Sequence, residues 1–412
     1  MNEKPSLRLP IWLILLATAG TFALTMGTRQ SMSLFLSSIK NSTGLSFADI
    51  SLAFAFGQLW WGLTQPFAGA MAEKFGVGRV LLCGISMITL GTCLTPFMTS
   101  SLGLIFTIGV LGAGGAGIAG PAVLMATASR MLPIEKRGMA NGIVNAGGSF
   151  GQFLMAPIAG GLMQAMGWSL AMQIMGLMVL LALPAAYLLR GTPQTSAPNA
   201  NSTASVTVLP AGQAIRQALR FPSYIMLGLG FFVCGFHVAF LATHLPGVIA
   251  ACGLPQEYGA WSLAILGLFN IIGSLAMGWA VGKWRMKSLL SLVYATRGVA
   301  VLLFLFAPKT EAVILIFAAV MGLTYLSTVP PTAGLVAKFF GTGNMATLYG
   351  LVLFSHQIGG FLGAYLGGKI FGATGSFNWL WYIDIALAVA AALVHLPIRE
   401  QSLVLNSKQV AA

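Results

Sequence analysis

The sequence predicts an all-α membrane protein of twelve transmembrane helices in two pseudo-symmetric six-helix bundles, and three observations carry that prediction. The 412 residues are 57% hydrophobic and only 7% charged, more apolar surface than a water-soluble globule has interior to hide. Twelve apolar stretches follow one another with short hinges between them. The second half of the chain repeats features of the first.

A span needs about 20 apolar residues to cross a hydrocarbon core of about 30 Å. The stretches fall at 11–36, 49–72, 80–98, 103–129, 139–163, 167–189, 222–250, 258–281, 289–307, 311–336, 346–370 and 378–397. An even number puts both termini on one side. With Lys4 and Arg8 taken as cytoplasmic, 16 of the 21 basic residues collect on that side, and only Lys40, Lys309 and Lys369 face the other. This is the positive-inside pattern, so the termini are expected in the cytoplasm of a bacterial inner (plasma) membrane. The net charge of +13 is spread through these hinges, so no nucleic-acid partner is expected. The partners expected are the lipid bilayer and a small molecule, for a monomeric chain. The first stretch is too long for a signal-peptide core and reads as a retained span. Cys83, Cys93, Cys234 and Cys252 lack disulfide or metal spacing, and neither metal nor cofactor is expected.

Residues 191–213, rich in Ser, Thr, Pro and Asn, interrupt the apolar rhythm. The expected organisation is a first bundle at 1–190, a cytoplasmic linker at 191–220 and a second bundle at 221–412. A shift of about 208 positions lays GTRQSMSLFL (27–36) on GFHVAFLATH (235–244), and LLCGISMIT (81–89) on LLSLVYATR (289–297). Duplicated bundles around a central path suit alternating access, in which one bundle rocks against the other about a site near the bilayer midplane. An enzyme has no such need. No span carries a nucleophile with a partner base, paired carboxylates or metal-ligand spacing, so no catalytic residue is expected. Without a GxxxxGK[ST] loop, energy for movement must come from gradients.

The hinge GAMAEKFGVGRVLL, Gly69 to Leu82, resembles the loop motif of the major facilitator superfamily, with Glu73 where Asp is usual. The resemblance implies that Gly69, Glu73, Lys74, Gly76 and Arg79 form a cytoplasmic gate. The second copy, GWAVGKWRMKSLL at 278–290, has Gly282 in place of the acid. SRMLPIEKRGMANG and APIAGG also resemble superfamily patterns, so the likeness covers the whole chain. TQPFAGAMAEKFG, the pair Tyr349–Gly350 followed by His356, and GTRQS resemble the monocarboxylate and oxalate/formate transporter branch. That branch implies a basic residue in span 11 facing an anionic substrate, here His356, and an arginine in span 8, where this chain has Ser274. The lost charge argues against a dicarboxylate. The implied function is secondary transport of a small organic anion, a monocarboxylate, coupled to protons or to anion exchange. A drug or amphipath exporter is the alternative within the superfamily, and a transport-dead sensor the alternative outside it.

An ionisable group within a span costs roughly 2.5–3.5 kcal/mol on insertion scales, so each one raises a functional question. Thr18, Thr21, Thr25, Arg29 and Ser33 recur at helical spacing and predict a polar stripe turned to a wet cavity, with Arg29 as a planar, permanently charged anchor for a carboxylate. A side chain snorkelling to the interface is the alternative for Arg29. His237, at the repeat-related position, and His244, seven residues on, predict a titrating column or packed histidines. His356 with its neighbour Gln357 is a second anion contact, and His237, His244 and His356 are candidates for proton coupling. Tyr325, Ser327 and Thr328 add hydroxyls before Pro330 and Pro331, where a helix break is expected; they are candidate cavity residues, Tyr325 for substrate, with a purely structural kink as the alternative. Arg297, in the flanking span 9, is expected to be structural or interfacial; Asp384, the only acid within a span, is a candidate proton carrier that its place near the outer end of flanking span 12 demotes.

Overall fold

A computed structural model describes residues 10–131, 137–191, 211–341 and 345–403. All regular structure among them is helical. Twelve long segments appear: α1 (Ile11–Thr43), α2 (Phe47–Phe75), α3 (Val77–Phe97), α4 (Ser101–Ser129), α5 (Arg137–Met166), α6 (Trp168–Leu188), α7 (Pro222–Ala251), α8 (Glu257–Val281), α9 (Met286–Phe306), α10 (Glu311–Phe340), α11 (Met345–Thr374) and α12 (Asn378–His395). They coincide with the twelve spans read from the sequence. Of the 191–220 linker, residues 192–210 lie outside the described residues, and Ala211–Leu219 forms a short helix.

Local chemistry sets the boundaries. Ser46 and Asp49 make a reciprocal capping box at the start of α2, satisfying two of the amide donors that a helix N-terminus leaves free. Ser100 and Thr310 cap α4 and α10 one way only, their hydroxyls accepting from the amides of Gly103 and Val313. Gly76 joins α2 to α3 alone, at a positive φ of 89° that a side chain would strain. Within α4, residues Ile105–Ala113 widen into π-helical turns, a local irregularity that often marks a functional wall.

The contacts are written twice, like the sequence. In the first half α1 packs on α5, α2 on α4 and α3 on α6; in the second α7 packs on α11, α8 on α10 and α9 on α12. Gly359, Gly363 and Gly367 press against Phe232, Phe236 and His244, so this ladder serves close packing of α7 on α11. The halves meet through α2 on α11 and α5 on α8.

That meeting is confined to one side. The largest apolar core draws Phe35, Phe54 and Met155 from the first half and Phe240, Leu263 and Met321 from the second. Toward the side carrying the chain ends the core divides in two, one part built only from the first half, such as Ile85, Leu124 and Val144, the other only from the second, such as Leu227, Leu335 and Leu348. Glycines report the same split. On the far side a side chain at Gly160 would meet Ala260 at 2.8 Å, and one at Gly368 would overlap Ser51. At the terminus-side ends of the same four helices, Gly69, Gly142, Gly278 and Gly350 face open space. The two halves are closed on the far side and parted on the terminus side.

Candidate functional site

Below the closed far side, Arg29 is held by two neighbours on α2. Its Nη2 donates to Gln58 Oε1 at 2.7 Å, and its guanidinium lies 5.0 Å from the centre of the Trp61 ring, a cation–π arrangement. Gln58 is its only hydrogen-bond partner among the described residues. Arg29 therefore reaches inward rather than snorkelling to an interface, and keeps donors of its planar fork free.

It lines a cavity enclosed by α1, α2, α3, the widened turns of α4 and one edge of α7, with Thr28, Ser33, Gln58, Thr92 and Thr243 among its walls. About 40 Å³ is open to the centres of water-sized molecules, several times the 10–15 Å³ or so that one water needs. The hydroxyls of Thr28 and Thr243, 1% and 2% exposed, have no hydrogen-bond partner among the described residues. Buried hydroxyls are nearly always bonded, so two orphans beside a cation mark a place for an acceptor. Met32, Phe54, Ile88 and Ile108 supply the apolar remainder.

The second half approaches Arg29 through Tyr325. The α10 helix breaks after Thr324 and resumes at Val329, as the two prolines imply. Tyr325 sits in the break, its hydroxyl donating to Val238 O at 3.0 Å, and lies near the Gln30 side chain of α1 and within electrostatic reach of Arg29. The polar groups freed by the break are taken up on both sides. Leu326 N donates to Asn270 Oδ1 at 3.0 Å, and Asn270 Nδ2 donates to Ser149 Oγ at 2.8 Å, a bond between the halves. Arg297 donates to the carbonyls of Thr324 and Tyr325, the latter at 2.7 Å.

The structure thus brings Arg29 and Tyr325 together and places the other singled-out residues elsewhere. His237 is turned toward α12, with Nε2 3.2 Å from Asp384 O and 3.3 Å from Asp384 Oδ1. His244 Nε2 lies 2.7 Å from Ala364 O, against Phe240 and Phe377. His356 packs 4.7 Å from Phe231, ring centre to ring centre, and its Nδ1 is buried without a hydrogen-bond partner among the described residues. Gln357 is buried against Gly62 of α2, one turn from Gln58. The threonine stripe differs from its expected role: Thr18, Thr21 and Thr25 are at most 2% exposed, and their hydroxyls donate to Ile14, Ala17 and Phe22 carbonyls of their own helix. A helix satisfies such hydroxyls internally, so helical spacing alone cannot separate a wet face from a packed one; of the stripe, Arg29 and Ser33 line the cavity.

At the terminus side, Gly69 and Gly76 are open, Lys74 lies over Phe75 at 5.3 Å, and Arg79 shares a groove with Tyr187 and Arg190 of the first half. The Glu73 side chain lies outside the described residues.

Sequence reasoning missed Gln58, Trp61, Asn270 and the two cavity threonines. Gln58 and Asn270 carried a signal, as amides deep within apolar spans, where polar groups mark pathways or ties between helices. Thr243 stood beside the more conspicuous His244.

Comparison with known proteins agrees with this architecture. The Major Facilitator Superfamily family matches at residues 17–364 and 227–411. Monocarboxylate transporter 11 of Mus musculus is 25% identical over 394 residues, 93% of this chain and 86% of that protein. The oxalate:formate antiporter of Oxalobacter formigenes is 24% identical over 370 residues, 89% of this chain and 86% of the antiporter. The fold matches that of the xylose transporter XylE from E. coli in its inward-open conformation, with a TM-score of 0.74 at 15% identity, over 94% of this chain and 96% of that one. With the family matched along nearly its whole length, this chain belongs to the Major Facilitator Superfamily of membrane transporters.

Proposed function

We propose that the protein is a secondary transporter of a small monocarboxylate, moved by alternating access with Arg29 as the anion anchor. The observation that carries this reading is the grouping of one inward-facing guanidinium with the orphaned hydroxyls of Thr28 and Thr243 around a small cavity. A carboxylate has two oxygens that accept from a guanidinium fork, with lone pairs left for the hydroxyls. The threonines come from α1 and α7, one from each half, so a bound acid joins the halves across the path. Met32, Phe54 and Ile108 suit a short apolar tail. The relatives that transport monocarboxylates or exchange oxalate for formate support the same class.

With the termini in the cytoplasm, as the distribution of basic residues implies, the parted side faces inward and this conformation is inward-facing. A fixed cation works against lipophilic cations, which disfavours the exporter reading. Gln357 and His356 lie further toward the terminus side of α11 and serve as a waypoint or packing rather than as a first anchor. The gate motif would close the terminus side in the opposite state.

Thermal stabilisation of the purified protein tests the reading, because a ligand that binds the folded state raises the melting temperature by mass action. The expected result is a shift with C2–C4 monocarboxylates that is lost in Arg29→Ala and partly restored in Arg29→Lys. Stabilisation by lipophilic cations with none from acids would overturn it.

A further inference from the structure

We propose that Asp384, with His237 beside it and Arg297 as its fixed counter-charge, forms a proton-binding site whose occupancy is coupled to the anion cavity through the break in α10. The proposal rests on the monocarboxylate reading of Arg29.

Asp384, His237 and Arg297 are each 1% exposed and belong to α12, α7 and α9. Four of their polar atoms, Asp384 Oδ1, His237 Nδ1 and Arg297 Nε and Nη1, have no hydrogen-bond partner among the described residues. Lone buried polar atoms are expensive, and four on three ionisable side chains in one place is a concentration that helix packing does not require. Asp384 Oδ1 lies 3.3 Å from His237 Nε2 without the geometry of a hydrogen bond. A proton added at Oδ1 turns an acceptor-only carboxylate into a donor and acceptor, and His237 is within reach to share it.

Among the described residues the surroundings contain no second acid. From α7 Cys234 faces the cluster, from α9 Tyr294, whose ring centre is 6.5 Å from that of His237, and from α12 His395, stacked on Tyr294 at 5.2 Å. From α10 comes the Tyr325 backbone, and from α11 His356 and Tyr349, each within electrostatic reach of Cys234. Arg297 is the one group among these with a permanent charge. With Asp384 ionised, the cluster and Arg297 sum to zero; with Asp384 protonated, the charge of Arg297 is left uncompensated.

That charge is tied to the transport path. Arg297 holds the Thr324 and Tyr325 carbonyls, and the Tyr325 side chain reaches Gln30 and Arg29 across the interface. An anion on Arg29 offsets the positive charge that protonation leaves on Arg297, so acid and proton each favour the binding of the other, by a coupling that is necessarily reciprocal. One acid and one proton then move together without net charge.

Proteoliposomes enclosing a pH-sensitive dye and given labelled pyruvate test this. The unaltered protein is expected to take up one proton per pyruvate, with pyruvate affinity rising as pH falls by up to about tenfold per unit, the limit for one coupled proton. Asp384→Asn is expected to lose proton uptake and this pH dependence while still exchanging labelled for unlabelled pyruvate, a reaction that needs folding but no net proton movement. Should Asp384→Asn fail to fold, His237→Gln keeps a hydrogen-bond donor toward Asp384 and is expected to displace the pH of half-maximal uptake. Proton uptake by Asp384→Asn, or an unchanged pH profile in folded His237→Gln, would overturn the site. Pyruvate movement without protons in the unaltered protein would overturn it while leaving the anion cavity standing. No movement of any acid, in uptake or exchange, would remove the anion reading itself.

Discussion

Arg29 and Arg297 flank the same tyrosine from opposite sides, and they are held in opposite ways. Arg29 makes one hydrogen bond, to an amide, and turns the rest of its fork to a cavity. Arg297 is sealed, spends Nη2 on two backbone carbonyls at a helix break, and lies within electrostatic reach of Asp384. A cation at the C-terminal end of a helix segment also meets the negative end of its dipole. The contrast separates two uses of a charge within a membrane: one kept available for a partner that comes and goes, one consumed by the fold.

Removing the consumed charge should therefore have the largest effect on stability. Arg297→Ala leaves two carbonyls unbonded and Asp384 without its counter-charge. Stripping one member from a buried ionic set costs about 3–5 kcal/mol, so the variant should melt far below the parent in detergent or fail to accumulate. Arg29→Ala should melt within about 1 kcal/mol of the parent, since Gln58 and Trp61 remain packed and partly accessible. Its loss should appear in ligand binding instead, about 1.5–3 kcal/mol for hydrogen bonds to a charged group, or roughly 10- to 150-fold in affinity for the proposed acid. Melting curves and acid titrations on the two variants side by side check both. Equal melting of the pair would erase the distinction.

This contrast shows how far the sequence could be read. Span number, order and the break in α10 were legible because hydropathy, hinge charge and the two prolines act locally. Arg29 was legible as an outlier in an apolar run. What was not legible is which way a side chain on a buried helix turns. His237 and Arg29 share a repeat position, yet one points to α12 and the other to the cavity, because the divergent neighbours Asp384 and Gln58 sit far away in sequence. Arg297 and Asp384 looked peripheral because flanking helices usually meet lipid, but both point inward, and only a three-dimensional arrangement shows that they meet at one place. The threonines of α1 imitate a wet face for the same reason.

A smaller effect should follow from weakening the other support of the break. Asn270→Ala removes the acceptor of Leu326 N and the bond to Ser149 across the interface. A typical net loss is about 1 kcal/mol per hydrogen bond, and more for the amide left unpaired. Ser149→Ala removes only the link between the halves. Asn270→Ala should therefore lower the melting temperature more than Ser149→Ala, while the double variant should match Asn270→Ala alone within about 0.5 kcal/mol, since both single changes cut the same bond. Additive losses would show that the two residues act separately.

The smallest stability effect belongs to the parted side, where it sharpens the asymmetry of the two faces. Gly350 faces open space in α11, so Gly350→Ala meets nothing here and should gain up to about 1 kcal/mol from helix propensity. Its counterpart on the closed side behaves differently: a branched side chain in Gly368→Val must displace Ser51 and the start of α2, which weakens the seal between α2 and α11 and should speed thiol labelling of a cysteine placed at the far-side surface. If the halves rock during transport, the terminus side must close in turn, and helices that approach each other closely need small residues at the contact. Gly350→Ala should then raise or preserve the melting temperature and yet slow turnover. Stability gained with turnover unchanged would mean that the closed face never brings another helix against Gly350, and that closure on this side is made elsewhere along α11.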